Sequence, residues 1–336
     1  MRPYQVTGRM ATVKNRSAIL AQITERLANA EKILIATHIR PDGDAVGSIL
    51  GLGRALTLAG KTVGMVMADP VPPSFHHLEG YRDIRRKAKD TYDTYIIVDA
   101  ADIQRIGGVF GEHLPDLQFD HHITNPGYAK INYVDPEAVA TAAILADVLE
   151  PLGFSIDQTA ANALLTGIIT DTIGFRTSNM TPQALRSAAN LMEKGADLPE
   201  LYYQGLVQRS FSAARYWGMG LSSLQKKDRI IWATLTQADR VAVGYNGNDD
   251  ADLTNMLSSI TESDVAVLFI EQKQGQVKVS WRAQPGFDIS NIAVKFGGGG
   301  HPAAAGADVT GSLAEVQTQV LAATEAYLEK NGSAKS

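Results

Sequence analysis

Apolar runs of five to seven residues punctuate the first third of the chain: "KILIAT", "TVGMVMA", "TYIIVDA" and "DLQFDHH". Between the first two lies "DAVGSILGLGRALTLAG", whose apolar positions recur at helical spacing. Continuous apolar strands alternating with helices predict a parallel, doubly wound α/β sheet with helices on both faces. "NRSAILAQITERLANA" precedes the first strand, with apolar residues spaced to cover one side of that sheet.

From about residue 138 the pattern turns helical, through "AVATAAILADVLEPLG", "DQTAANALLTGIITDT" and "TPQALRSAANLMEKGA". Thr181 and Pro182 are placed as N-cap and first helical residue. The longest helical pattern, "LPELYYQGLVQRSFSAARYWGMGLSSL", reads as a connector. Beyond it, "RIIWATL", "DVAVLFIEQ" and "QVKVSWRA" are strands, and "DADLTNMLSSI", "DISNIAVKFG" and "SLAEVQTQVLAATEAYLEKN" are helices of a smaller α/β domain. The expected organisation is a domain over 1–195, a helical connector over 196–225 and a second domain over 226–332. No repeat or low-complexity segment interrupts it.

Composition narrows the chemistry. At 336 residues and 45% hydrophobic content, the chain has material for two packed domains. It has no cysteine, which excludes disulfides, a thiolate nucleophile and Cys-ligated zinc or iron–sulfur centres. A net charge of −5 argues against broad duplex binding and leaves room for a small anionic ligand in a local basic pocket. No Arg-flanked apolar segment opens the chain, no apolar run is long enough to span a bilayer, and "KNGSAKS" carries no lipidation signature. The cytoplasm is the expected location, and no membrane partner is expected.

"THIRPDGDAVGS" crowds His38, Asp42 and Asp44 into the loop after the first strand. Close-set carboxylates repel one another unless something positive lies between them. Three further places carry metal-type ligands at strand ends or just beyond: "VDAAD" with Asp99, "FDHH" with Asp120, His121 and His122, and "IITDTIGF" with Asp171. One Asp after a strand is ordinarily an N-cap or turn former. Four such places in this order suit a two-metal site of carboxylate and imidazole, holding hard cations such as Mn²⁺ or Mg²⁺.

These motifs, with "FGGGGHPAAAG" near the end, resemble the DHH phosphoesterase superfamily and its C-terminal DHH-associated domain. The likeness runs from about residue 15 to 330. Within the superfamily it is most similar to the bacterial NrnA-type enzymes, which are nanoRNases and pAp phosphatases. The chain lacks the membrane and regulatory segments of the superfamily's membrane-bound cyclic-dinucleotide phosphodiesterases and the added domains of RecJ-type exonucleases. The resemblance implies that His38, Asp42 and Asp99 hold one cation, that Asp44, Asp99, His121 and Asp171 hold the other, and that Asp99 bridges them. It implies that Asp120 orients an imidazole and that His122 lies by the scissile phosphate. A pair of such cations would activate a water for in-line displacement, so no protein nucleophile is needed.

Gly298, Gly299 and Gly300 can bring backbone N–H groups to a phosphate, His301 adds a donor, and Arg282 adds a planar fork. The resemblance assigns this region to substrate binding across an interdomain cleft. The expected substrates are short oligonucleotides or small phosphorylated nucleotides, trimmed to mononucleotides or, for pAp, to AMP. A stand-alone cyclic- or linear-dinucleotide phosphodiesterase is the alternative, and a silent nucleotide-binding protein the rival from another class. Oligomeric state is open, a homodimer included. "YRDIRRKAKDTYD" is mixed in sign and reads as a solvated helix face, while the aromatic residues of "LYYQ" and "RYW" read as core.

Overall fold

Along Lys32–Ala36, Ile33 and Ile35 enter one apolar cluster while Leu34 and Ala36 enter another. A strand buried on both sides in this way belongs to the interior of a parallel sheet. The computed structural model describes residues 16–247 and 250–331, and the chain divides into two units, Met1–Gln208 and Arg209–Ser336.

The first unit contains α1 (Arg16–Ala28), β1 (Lys32–Ala36), α2 (Gly43–Leu58), β2 (Thr62–Val66), β3 (Ile84–Arg85), β4 (Thr94–Val98), β5 (Leu117–Asp120) and β6 (Ile131–Val134). These are followed by α3 (Thr141–Val148), α4 (Gln158–Asp171), α5 (Pro182–Glu193) and α6 (Leu198–Tyr202). Its six strands are all parallel in the order β3-β2-β1-β4-β5-β6. The chain runs outward one way from β1 and the other way from β4. The crevice beyond the C-terminal ends of those two strands is where open α/β sheets place ligands. Helical cover is uneven: residues of α1 to α5 share the larger cluster with Ile33 and Ile35, whereas the opposite face is closed by Ile106 of a 3₁₀ turn and by Tyr95 and Phe110.

Two helical expectations give way to local chemistry. "LPELYYQGLVQRSFSAARYWGMGLSSL" is not one helix: α6 runs into a π-helical turn at Tyr203–Val207, Gln208 is extended, and Ser210 caps a new helix, α7 (Phe211–Ser222). The serine accepts the Ala213 N–H, supplying a helix start in mid-segment. Tyr216 of α7 is fully buried, but Tyr202 and Tyr203 are exposed. "YRDIRRK" is not a helix either: Tyr81–Asp83 form a 3₁₀ turn, and Ile84 and Arg85 then pair with β2.

The second unit continues from α7 through β7 (Gln225–Lys227), β8 (Ile230–Leu235), α8 (Gln237–Val243), α9 (Leu253–Leu257), β9 (Val265–Glu271) and β10 (Gln276–Ala283). It ends with α10 (Ser290–Lys295), β11 (Gly299–His301), β12 (Ala304–Thr310) and α11 (Leu313–Asn331). The sheet order is β11-β12-β10-β9-β8-β7, with β8 and β9 parallel and the other neighbours antiparallel. Trp281 lies fully buried in a cluster that includes residues of α10 and α11, while residues of α7, α8 and α9 pack in the cluster on the other face. Among the described residues no helix is long and apolar enough to cross a membrane.

Candidate metal centre

His38 leaves the end of β1 with its Nδ1–H donated to the Ile39 carbonyl at 2.8 Å. This fixes the ring so that Nε2 lies 3.4 Å from Asp99 and 3.7 Å from Asp42. Asp42 is the N-cap of α2, accepting the Ala45 N–H at 3.0 Å. Asp44 sits in the first turn of the same helix and is buried.

The glycines of this stretch have a separate purpose. Gly43, Gly47 and Gly51 recur every four residues along one side of α2 and face α4. A Cβ at Gly47 would stand 2.4 Å from the Ala163 carbonyl oxygen, and one at Gly43 2.1 Å from Thr170 Oγ1. Gly167 of α4 returns the favour, since a Cβ there would meet Ala142 and Asp44 Oδ1. Backbone-to-backbone approach of α2 and α4 thus sets Asp44 close to the end of α4, where Asp171 is the last helical residue. Asp171, grouped in the sequence with the strand-end ligands but lying in a segment read as helical, is delivered by the C-terminus of α4.

Asp99 follows β4 with φ of 54°, in the left-handed region that Asp tolerates better than most residues. Its N–H donates to the Phe119 carbonyl of β5 at 3.0 Å, which holds the turn against its neighbour strand. His121, just past β5, has Nδ1 within 3.3 Å of the Ala138 carbonyl. Its Nε2 lies 3.6 Å from Asp171, 3.7 Å from Asp99 Oδ1 and 3.9 Å from Asp44. After Asp171 the backbone turns through Ile173, Gly174 and Phe175, all at positive φ. For a β-branched residue such as Ile173 this is an outlier, of the kind that collects around functional sites.

Donor atoms therefore gather in two main groups, His38 with Asp42 and Asp99, and Asp44 with His121 and Asp171, each within 4.8 Å. A third grouping joins Asp99, His121 and His122. Burial raises the Asp44 carboxyl well above the usual range, and repulsion from Asp99 and Asp171 adds to it. Burial likewise raises Asp171, with Asp42 and Asp99 as the repelling charges. Burial opposes charge on Asp99 too, but the His38 hydrogen bond together with the charges of His38, His122 and His121 outweighs it and holds this carboxyl well below its ordinary value. The cluster thus carries more buried carboxylate than its histidines offset. That imbalance, in an oxygen-rich donor set with two imidazoles, fits divalent cations.

Asp120 is fully buried at the end of β5. Its Oδ1 accepts from His122 Nδ1 at 2.7 Å, and its Oδ2 accepts from Asn125 Nδ2 at 2.5 Å. Asn125 is fastened in turn to Gln118 and to the Ala100 carbonyl. Burial disfavours the His122 imidazolium, yet the Asp120 hydrogen bond and the charges of Asp99 and Asp120 push its pKa up to about 9. Its Nδ1–H is committed to Asp120, which sets the orientation of the ring.

In the second unit, Arg282 of β10 donates Nε to Asn255 Oδ1 at 3.1 Å and Nη1 to the Trp281 carbonyl at 3.0 Å. Nη2 has no partner among the described residues. Pairing places Arg282 opposite Ala304 of β12, and Ala304 opposite His301 of β11, in one cross-strand row. The His301 side chain lies outside the described residues. The glycine run is partly structural: a Cβ at Gly298 would stand 2.1 Å from the Gly306 carbonyl oxygen, and Gly300, with φ of 144°, would meet Ala304 at 2.4 Å. A Cβ on Gly299 would meet nothing within 4 Å, so this position has room for a ligand.

Sequence reasoning missed Thr141 and Asn125, both buried and both bonded to the cluster. Neither carries a motif of its own. The four-residue glycine spacing in "GDAVGSILG" was the available signal for the α2–α4 approach.

Comparison with known proteins adds to this geometry. The DHH family, N-terminal domain, matches residues 32–168, and the DHHA1 domain matches residues 237–330. The chain is 37% identical over 305 residues to the bifunctional oligoribonuclease and PAP phosphatase NrnA of Thermus thermophilus, covering 89% of this chain and 91% of that protein. It is 24% identical over 289 residues to the Bacillus subtilis protein of the same name, covering 83% and 90% respectively. Among solved structures, an exopolyphosphatase-related protein from Bacteroides fragilis shares the fold with a TM-score of 0.85, at 24% identity and with 97% and 98% of the two chains covered.

Proposed function

Because the chain belongs to the DHH family, in the NrnA-type group that carries a C-terminal DHHA1 domain, we propose that it hydrolyses short oligoribonucleotides to mononucleotides and pAp to AMP. It is a hydrolase of phosphoester bonds. The observation that carries the reading is the convergence of two donor groups on Asp99, which turns Oδ2 to His38 and Oδ1 to His121.

In this reading His38, Asp42 and Asp99 hold one divalent cation, and Asp44, Asp99, His121 and Asp171 hold a second, with Mn²⁺ or Mg²⁺ as the ions. When bound, the cations supply Lewis acidity that brings a water's pKa toward neutrality and offsets charge on the phosphoryl oxygens. His38 and His121 each point Nε2 at the cluster because backbone carbonyls take their Nδ1–H groups. His122, held by Asp120, donates a proton or hydrogen bond to a phosphoryl or leaving oxygen. Arg282, Gly298, Gly299, Gly300 and His301 bind a substrate phosphate, the arginine through the part of its fork that Asn255 and Trp281 do not occupy. Such substrates arise in the cytoplasm, where we place the enzyme.

The test is Mn²⁺-dependent turnover by the purified chain of pAp, a 5′-phosphorylated RNA dinucleotide, a twenty-residue RNA and a cyclic dinucleotide, with Asp99→Asn as control. Asn tolerates the left-handed backbone at this position and removes the charge. Mononucleotide from the dinucleotide and AMP from pAp, lost in the variant, are the expected results. Equal rates on the two RNA lengths, or turnover of the cyclic compound alone, would reassign the substrate.

A further inference from the structure

Helix α3 begins "AVATAA", a sequence with no capping side chain of its own before the helix. Its N-cap residue, Ala140, makes no side-chain hydrogen bond. The first N–H groups of a helix need acceptors, and here they find one in another helix. Thr141 N–H donates to Asp44 Oδ2 at 2.6 Å, and Ala142 N–H donates to Asp44 Oδ1 at 2.8 Å. Both oxygens of Asp44 are thus engaged by the start of α3, whose dipole favours a negative charge at that end.

Thr141 does a second thing. Its hydroxyl donates to Asp99 Oδ1 at 3.0 Å, the same oxygen that faces His121. One residue, with no exposed surface, is therefore hydrogen-bonded to a carboxylate from α2 through its backbone and to a carboxylate after β4 through its side chain. Each of those carboxylates has the freedom of a side-chain torsion about its terminal bond, which a fixed donor removes.

We propose that Thr141 is a positioning residue of the hydrolytic centre, fixing the spacing and orientation of Asp44 and Asp99 so that both groups of donors form together. The inference rests on the two-cation reading above and extends it to a residue that touches neither cation nor substrate. Hydrogen-bonding partners of metal ligands change affinity by roughly 10–100-fold when removed. The hydroxyl of Thr141 belongs in that class, and its methyl group does not.

The experiment compares the full-length wild type with Thr141→Val, Thr141→Ala and Thr141→Ser. Mn²⁺ binding is measured by calorimetry on chelator-treated protein, kcat and KM are measured on the RNA dinucleotide, and thermal melts are run in chelator. Removing the hydroxyl in either the Val or the Ala variant is expected to weaken Mn²⁺ binding by about 10–100-fold. At saturating Mn²⁺, kcat falls more than KM changes. Thr141→Ser, which restores the donor without the methyl, is expected to recover most of the affinity. The Ala variant introduces no methyl where the hydroxyl stood, so it remains informative if Val perturbs the fold. Wild-type Mn²⁺ affinity in both the Val and Ala variants overturns the proposal, as does a Ser variant no better than they are. A wild type that binds no Mn²⁺ overturns the two-cation reading itself and this inference with it.

Discussion

Asp120 and His122, two residues apart at the end of β5, are joined by a hydrogen bond of 2.7 Å from Nδ1 to Oδ1. With Asp120 also accepting from Asn125, the His122 ring has one side determined by the protein. Asp120→Asn removes the charge and leaves a single acceptor oxygen for two donors. The expected loss in kcat is roughly 10–100-fold. The raised pKa of His122 depends on Asp120, so the variant's ring loses its proton at lower pH. The alkaline limb of the pH–rate profile, recorded at saturating metal, moves downward. An unmoved limb would separate His122 from the proton-donating step.

Gly47→Ala and Gly218→Ala are the same chemical change with opposite expected signs. A methyl at Gly47 meets backbone atoms of α4, Ala163 O at 2.4 Å and Gly167 N at 2.9 Å. Helix backbones cannot step aside cheaply, so a loss of about 1–3 kcal/mol is expected, with weaker metal binding as Asp44 and Asp171 separate. At Gly218 in α7 a methyl meets nothing within 4 Å. Replacing a mid-helix glycine there stabilises by up to about 1 kcal/mol. Thermal melts of the two variants check both signs.

Acid stability has a local source away from the centre. Asp116 is buried and accepts from Tyr95 N–H at 2.9 Å and from Lys130 Nζ at 2.8 Å, with Arg26 at 3.4 Å. Burial opposes its charge, but these partners prevail and lower its pKa. A lowered folded-state pKa contributes stability above the unfolded value, near 3.9, and loses it as pH falls through the folded value. Asp116→Asn is expected to lower stability by about 1–2 kcal/mol at pH 7. The gap in Tm from wild type is full above about pH 5 and closes below about pH 4. A gap independent of pH would assign the effect to packing.

Arg282→Lys tests the second unit. An ammonium cannot reproduce a planar fork that reaches Asn255 and the Trp281 carbonyl while keeping a donor for phosphate. KM for the dinucleotide should rise about tenfold, with Mn²⁺ affinity unchanged. Unchanged KM would remove Arg282 from the binding surface.

What the chain revealed as sequence depended on how local the signal was. The buried strand Lys32–Ala36 and the Thr181 cap, which accepts the Ala184 N–H, are written in neighbouring residues and were legible. His38, Asp99 and His121 were legible as well, since each follows an apolar strand. Thr141 was not, because its partners are 97 and 42 positions away. Asp171 was legible as well, at the end of the helical pattern "DQTAANALLTGIITDT". The broken connector was missed because Ser210 reads as an ordinary polar position until its bond to Ala213 N–H is seen. The glycine run hid a second, structural reason for Gly298 and Gly300, since β12 leaves them no room for a side chain, and that packing lies outside the reach of local sequence.

The parallel order of the first sheet has a bearing on how the protein is made. His38, Asp42 and Asp44 leave the ribosome early, and Asp171 comes after all six strands and α3. A nascent chain halted before α4 holds several carboxylates and both strand-end imidazoles, but it lacks the helix against which α2 packs its glycines. On the two-cation reading, tight metal capture would await the completed unit, and the ions would then stabilise the full fold by mass action while giving little hold to a truncated product.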